Sequence, residues 1–129
     1  MLDIRYSLTF TSMPLQLPHK ELDLFILAKK LLHCCYEVTH ELPVDVRKTL
    51  FHEMRRAALF VYLDICKALA KDKKKKRKWY GLAKDQLVVI DAIQEVLVEL
   101  NYMNKEQEKQ INDLMNPCYQ ILSEIIDKK

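Results

Sequence analysis

The chain has 129 residues, half of them apolar and 30% charged, with a formal net charge of +3. That length suits one domain with one buried core. A single glycine (Gly81) and four prolines are too few turn formers for a sheet-rich fold, and no apolar stretch reaches the ~18 residues a membrane span needs.

The charge is unevenly distributed. Residues 71–84 hold eight basic side chains and one acid, a local charge of +7, while the rest of the chain carries −4. One concentrated basic element on a mildly acidic body points to an anionic partner met at one place.

Taken in chain order, residues 2–10 alternate strictly. Leu2, Ile4, Tyr6, Leu8 and Phe10 are apolar, and Asp3, Arg5, Ser7 and Thr9 are not. This is the period-two pattern of a half-buried strand. No second strand is visible, so the arm pairs outside its own bundle, lies across a helix face, or stays unstructured. Asp3 and Arg5 interrupt the apolar run that a secretory signal requires. Met13 offers an alternative start. Residues 1–17 thus form an arm and linker, and residues 18–129 the domain.

The spacing predicts a first helix over residues 18–41, opened by Pro18. Leu24, Ala28, Leu31, Cys35 and Val38 recur at three and four, and Phe25, Leu32 and Tyr36 widen the stripe. Leu42-Pro43 breaks it. A second helix runs from about residue 43 to at least 71, with Val46, Leu50, Met54, Ala57, Val61, Ile65 and Ala68 as its stripe. A third is predicted over residues 79–103, with Leu82, Val89, Ile93, Val96, Leu100 and Met103 on its apolar face and Gln86 among them. A fourth opens at Asn104, with Gln107 three residues on as a capping box. Its seam is Ile111, Leu114, Cys118, Ile121 and Ile125, and Pro117 either kinks it or leaves a carbonyl unpaired. Short links between helices of this length give an all-α, up-down-up-down antiparallel four-helix bundle.

Catalytic and metal signatures are weak. Glu37-Val38-Thr39-His40 has the Glu-x-x-His spacing of di-metal bundles, but those use two copies facing the core. His33, Cys34 and Cys35 are consecutive, so a helix points them apart. The four cysteines form no C-x-x-C pair and read as small buried hydrophobes in a reducing cytoplasm. There is no glycine-rich phosphate loop and no local nucleophile–base pairing. The expectation is a protein that is not an enzyme and needs no metal or cofactor.

The candidate interface is the basic run: Lys71, then Lys73, Lys74, Lys75, Lys76, Arg77 and Lys78, followed by Trp79 and Tyr80. Consecutive cations attract a phosphate backbone and release its counterions, and two aromatics can stack on unpaired bases. The same run could instead meet a protein, or be a solvated turn with Trp79 and Tyr80 folded into the core. Arg55-Arg56 sits in mid-helix beside the apolar stripe. It is either a snorkelling or intrahelical pair (Arg56 lies three residues after Glu53) or a subunit contact or the electropositive inner surface of a ring.

Leu50-Phe51-His52-Glu53-Met54-Arg55-Arg56-Ala57-Ala58, followed by Ile65, resembles the helix-two signature of the bacterial four-helix bundle proteins first noticed as insertions in ribosomal RNA genes. Ala83 to Leu100 and then Asn101-Tyr102-Met103-Asn104-Lys105-Glu106-Gln107 are similar to that family's third helix, turn and fourth-helix start. The resemblance covers residues 18–127. One stretch departs from it: Leu63-Asp64-Ile65-Cys66-Lys67 stands where the broad family ends near Asn-Ile-Ala-Glu-Gly. With the basic run, this looks most like the accessory variability determinant of diversity-generating retroelements. That resemblance implies a homopentameric, electropositive barrel. It also implies a reverse transcriptase and template RNA or cDNA as partners, a role in mutagenic cDNA synthesis, and Arg55 and Arg56 as candidate contacts. The N-terminal arm, outside the family core, is expected to add a strand to a neighbouring subunit or to the polymerase.

Overall fold

The computed structural model describes residues 18–40 and 47–127. The strand-like arm, Val46 and the loop after the first helix lie outside the described residues. Among the described residues there are four α-helices: α1 (His19–His40), α2 (His52–Leu69), α3 (Lys73–Glu99) and α4 (Lys105–Asp127). A short π-helical turn, Arg47–Phe51, leads into α2.

Each helix packs on the next, and α4 returns to α1, closing a four-helix bundle. Side-chain contacts fix the directions. The start of α1 meets the end of α4 through Lys20 and Glu124, 3.0 Å apart. The start of α2 meets the end of α1 through Arg55 and Thr39. The later half of α3 meets the first half of α4 through Gln94 and Asn112. Neighbours are therefore antiparallel, and the diagonal pairs α1/α3 and α2/α4 are parallel.

On α1 the predicted stripe of Leu24, Ala28, Leu31, Cys35 and Val38 is buried, with Phe25 beside it. On α2, Met54, Ala57, Val61, Ile65 and Ala68 are buried as the spacing predicts, and Ala58 joins them. On α4 the buried seam is Ile111, Met115, Cys118 and Leu122. Leu114, Ile121 and Ile125 flank it half-buried and pack on the core. α4 continues through Pro117, where the proline leaves the Asp113 carbonyl without its helical donor.

The bundle differs from the sequence expectation at α2 and α3. α2 ends at Leu69 rather than beyond Lys71, and α3 begins at Lys73 rather than Trp79. Asp72 explains both boundaries. Its Oδ1 accepts the Lys75 N–H at 3.0 Å, an N-cap that satisfies one of the open amides of a new helix. The lysine run is thus the head of α3 and not the tail of α2.

The buried face of α3 also differs. It is Tyr80, Ala83, Leu87, Ile90, Gln94 and Leu97, whereas Leu82, Val89, Val96 and Leu100 are exposed. Both sets step by three and four, one residue out of phase, so they lie about 100° apart on the helix. Spacing alone favours the stripe of larger aliphatics; the core takes the other, where Ala83 and the deep Tyr80 fit.

The α3–α4 turn is closed at both ends. Asn101 adopts φ 62°, a left-handed conformation that asparagine tolerates. The Tyr102 N–H then donates to the Leu97 carbonyl (2.9 Å) and the Asn101 N–H to that of Val98 (3.0 Å), the two bonds of a Schellman motif. The expected capping box follows: Asn104 Oδ1 accepts the Gln107 N–H at 2.8 Å, and Gln107 Oε1 accepts the Asn104 N–H at 3.0 Å.

Gln94 is the polar member of the α3 core face, 2% exposed. Its Nε2 donates to Asn112 Oδ1 at 2.8 Å, while its Oε1 is buried with no hydrogen-bond partner. An orphaned buried acceptor costs about 1–3 kcal/mol. Gln94→Leu therefore raises stability by about 1 kcal/mol, read as a Tm increase of roughly 4 °C by thermal denaturation; half-buried Asn112 turns to water.

Candidate nucleic-acid interface

The head of α3 carries the cations. Lys73, Lys74, Lys75 and Lys78 are exposed, as is Lys71 in the preceding link. The first turn of α3 contains no acid. Lys73 and Arg77 are four residues apart, as are Lys74 and Lys78, so like charges stack on the helix surface. They also crowd the end of the helix where the peptide dipoles are already positive. Both effects oppose folding by a few tenths of a kcal/mol per contact and are relieved by an external anion.

Two members of the predicted set turn inward. Tyr80 is 0% exposed, and its hydroxyl donates to Glu21 Oε1 at 2.8 Å. Lys76 Nζ reaches the same oxygen at 2.7 Å. Glu21 belongs to the first turn of α1, the diagonal partner of α3, so this knot ties the two helix heads across the bundle. Burial, then the hydrogen bond from the hydroxyl to Glu21 and the charge of that carboxylate, push the Tyr80 phenol well above its ordinary range. Tyr80 is therefore closed to stacking on bases, and half-buried Lys76 is engaged by Glu21.

Trp79 is half-buried and packs on the core, with Lys67 Nζ 4.9 Å above its ring. One face of the indole is thereby covered by a cation. Beside the α3 head lies a hollow of about 490 Å³ lined by His19, Lys20, Glu21, Lys73, Lys76 and Arg77, with Glu124 at its edge. Sequence reasoning missed Glu21, Lys20 and Lys67, because nothing in local spacing shows which α1 and α2 residues face the α3 head.

Arg55 and Arg56 do not join this cluster. Arg55 Nε donates to Thr39 Oγ1 at 2.6 Å, and its Nη2 to the Tyr36 carbonyl at 3.3 Å. Its guanidinium lies 4.6 Å from the Tyr36 ring centre. It thus fastens the start of α2 to the tail of α1 while staying part-exposed. Arg56 is exposed, 3.9 Å from Glu53, as the intrahelical pairing anticipates. Both sit near the start of α2, about 20 Å along that helix from the lysine end.

Burial pushes all four thiols up: Cys34, Cys35 and Cys66 above their ordinary value and Cys118 to about 12. At neutral pH they are poor thiolates and hence poor nucleophiles. Among the described residues no three His, Cys, Asp or Glu side chains converge as a metal-ligand set, and no helix is long and apolar enough to cross a membrane. No family model matches the chain, and no curated protein matches it in sequence.

Two outcomes test this geometry. Glu21→Ala leaves the Tyr80 hydroxyl buried without an acceptor and lowers stability by about 2 kcal/mol, a Tm drop of roughly 8 °C; Tyr80→Phe costs about half as much. Asp64 is 4% exposed, and burial raises its carboxyl pKa against the opposing pull of Lys67. A raised folded-state value means that the native chain holds this proton more tightly, so stability falls as pH climbs past about 4. Asp64→Asn therefore melts higher than the parent at pH 7, and thermal scans show the gap closing as the pH is lowered.

Proposed function

We propose that the protein is a non-enzymatic accessory subunit that holds the phosphate backbone of RNA or cDNA at the head of α3 for a reverse transcriptase. The observation that carries this reading is the placement of exposed Lys71, Lys73, Lys74, Lys75 and Lys78 at a helix N-terminus without an acid in its first turn. A polyanion neutralises that arrangement and gains from counterion release. Lysines favour phosphate over any particular base, so the contact positions a strand without reading it.

The polymerase partner and the retroelement setting rest on the resemblance to the accessory variability determinants, carried by the departure at Leu63–Lys67 from the broad four-helix bundle family and by the basic run. In that setting the subunit supports mutagenic reverse transcription by keeping template or product near the enzyme. An alternative reading, a bundle that makes only protein contacts, draws on the exposed apolar residues of α3.

Salt dependence separates the two readings. Binding of single-stranded RNA, followed by fluorescence anisotropy, weakens steeply with salt. Replacing Lys71, Lys73 and Lys74 together by Gln reduces the slope of log K against log salt by about 2, at ~0.7 per phosphate contact, and does not lower Tm because like-charge repulsion is relieved. Unchanged affinity and slope would overturn phosphate binding. Failure to capture a reverse transcriptase encoded beside this gene would remove the accessory role.

A further inference from the structure

The hollow beside the α3 head has a chemistry that phosphate contact alone does not use. Its volume of about 490 Å³ lies in the range of small-molecule sites, about 300–1,000 Å³. Pro18 and Ile125 line it, and the stems of the lysines and Arg77 add methylene groups. The wall is accordingly more apolar than polar. Ile125 is half-buried and packs on the core, which holds that part of the wall in place.

The ionic groups of the hollow are graded in depth. Glu21 is buried, Lys76 half-buried, and Lys73 and Arg77 exposed. Glu21 holds Lys76, and Glu124 holds Lys20. The Lys73 side chain has no ion-pair or hydrogen-bond partner among the described residues. Arg77 follows it one turn on, about 6 Å along the axis. Four cations against two carboxylates leave an excess of two positive charges.

This grading decides what can enter. Glu21 and Glu124 accept hydrogen bonds and repel anions, so a phosphate stops at the exposed Lys73 and Arg77. What passes further in must be uncharged, must present an apolar face, and must carry hydrogen-bond donors. A nucleobase joined to its phosphate meets all three conditions. The exposed Lys74, Lys75 and Lys78 continue the cationic surface beyond the hollow, where flanking phosphates of a strand would lie. A base within a duplex must first be unstacked and unpaired, a cost that is least in a single strand.

We propose that this hollow seats one unpaired nucleobase of a bound strand against Pro18 and Ile125, with the phosphate of that nucleotide on Lys73 and Arg77. The inference rests on the phosphate reading and adds to it a selection for single strands. It supplies the apolar contact with a base that Tyr80, buried in the core, does not.

A single-stranded oligonucleotide and its abasic counterpart, equal in phosphates, separate base seating from phosphate contact by fluorescence anisotropy with the full chain. The parent binds the base-bearing strand about tenfold tighter, with the same salt slope for both. Ile125→Gln, neutral and similar in length, removes the apolar wall and binds both strands as the parent binds the abasic one. Free AMP, lacking flanking phosphates, displaces the strand only in large excess. Equal parent affinity for the two strands, an undiminished advantage in Ile125→Gln, or displacement by AMP at concentrations matching the strand would overturn the proposal. If Ile125→Gln fails to fold, a strand bearing 4-thiouridine decides on the parent. Photo-crosslinks within residues 18–20 or 124–125 support base seating there, and crosslinks only elsewhere overturn it. Equal, steeply salt-dependent binding of both strands removes base seating alone. Absence of salt-dependent binding for either strand removes the phosphate reading and this one with it.

Discussion

A carboxylate at the rim of the core governs the geometry of the lysine end. Glu21 is 8% exposed, and one of its oxygens takes both the Tyr80 hydroxyl and the Lys76 ammonium. A buried charge is tolerated only when paired and hydrogen-bonded, and here both partners come from the diagonal helix. The contact fixes the rotation of α3 about its own axis at its first two turns. With Lys76 and Tyr80 held inward, Lys74, Lys75 and Lys78 are turned outward as a matter of helical geometry. Charged surface and packed core are therefore two faces of one constraint.

The opposite end of the bundle is organised by a different cation. Arg55 spends its guanidinium on Thr39, the Tyr36 carbonyl and the Tyr36 ring. These contacts tie the start of α2 to the tail of α1, where the Thr39 hydroxyl itself donates to the Cys35 carbonyl. A cation beside an apolar stripe can thus serve the fold, as Arg55 does, or face outward, as the lysines of the α3 head do. Burial and partners tell these apart where residue type does not.

Much of the fold was legible in the sequence because α1 and α2 each carry a single dominant stripe, and because Asn104 and Gln107 form a local cap that needs no tertiary information. α3 was harder. It carries two apolar stripes one residue out of phase, and amphipathic spacing cannot say which one faces inward. Its start was misplaced because a lysine run reads equally well as the end of one helix or the head of the next; the deciding residue, Asp72, is a single N-cap. For the candidate site, the exposed lysines were visible as a charge run. The inward turn of Lys76 and Tyr80 was not, since Glu21 lies more than fifty residues away in sequence and meets them only once the bundle closes.

The crowded positive head of α3 has a thermodynamic consequence. Its like charges make the unloaded chain less stable than its packing alone would allow. An anion that settles there binds the native state, in which the cations are held together, better than the dispersed unfolded chain. Occupancy of that site by any such anion and folding are thereby linked.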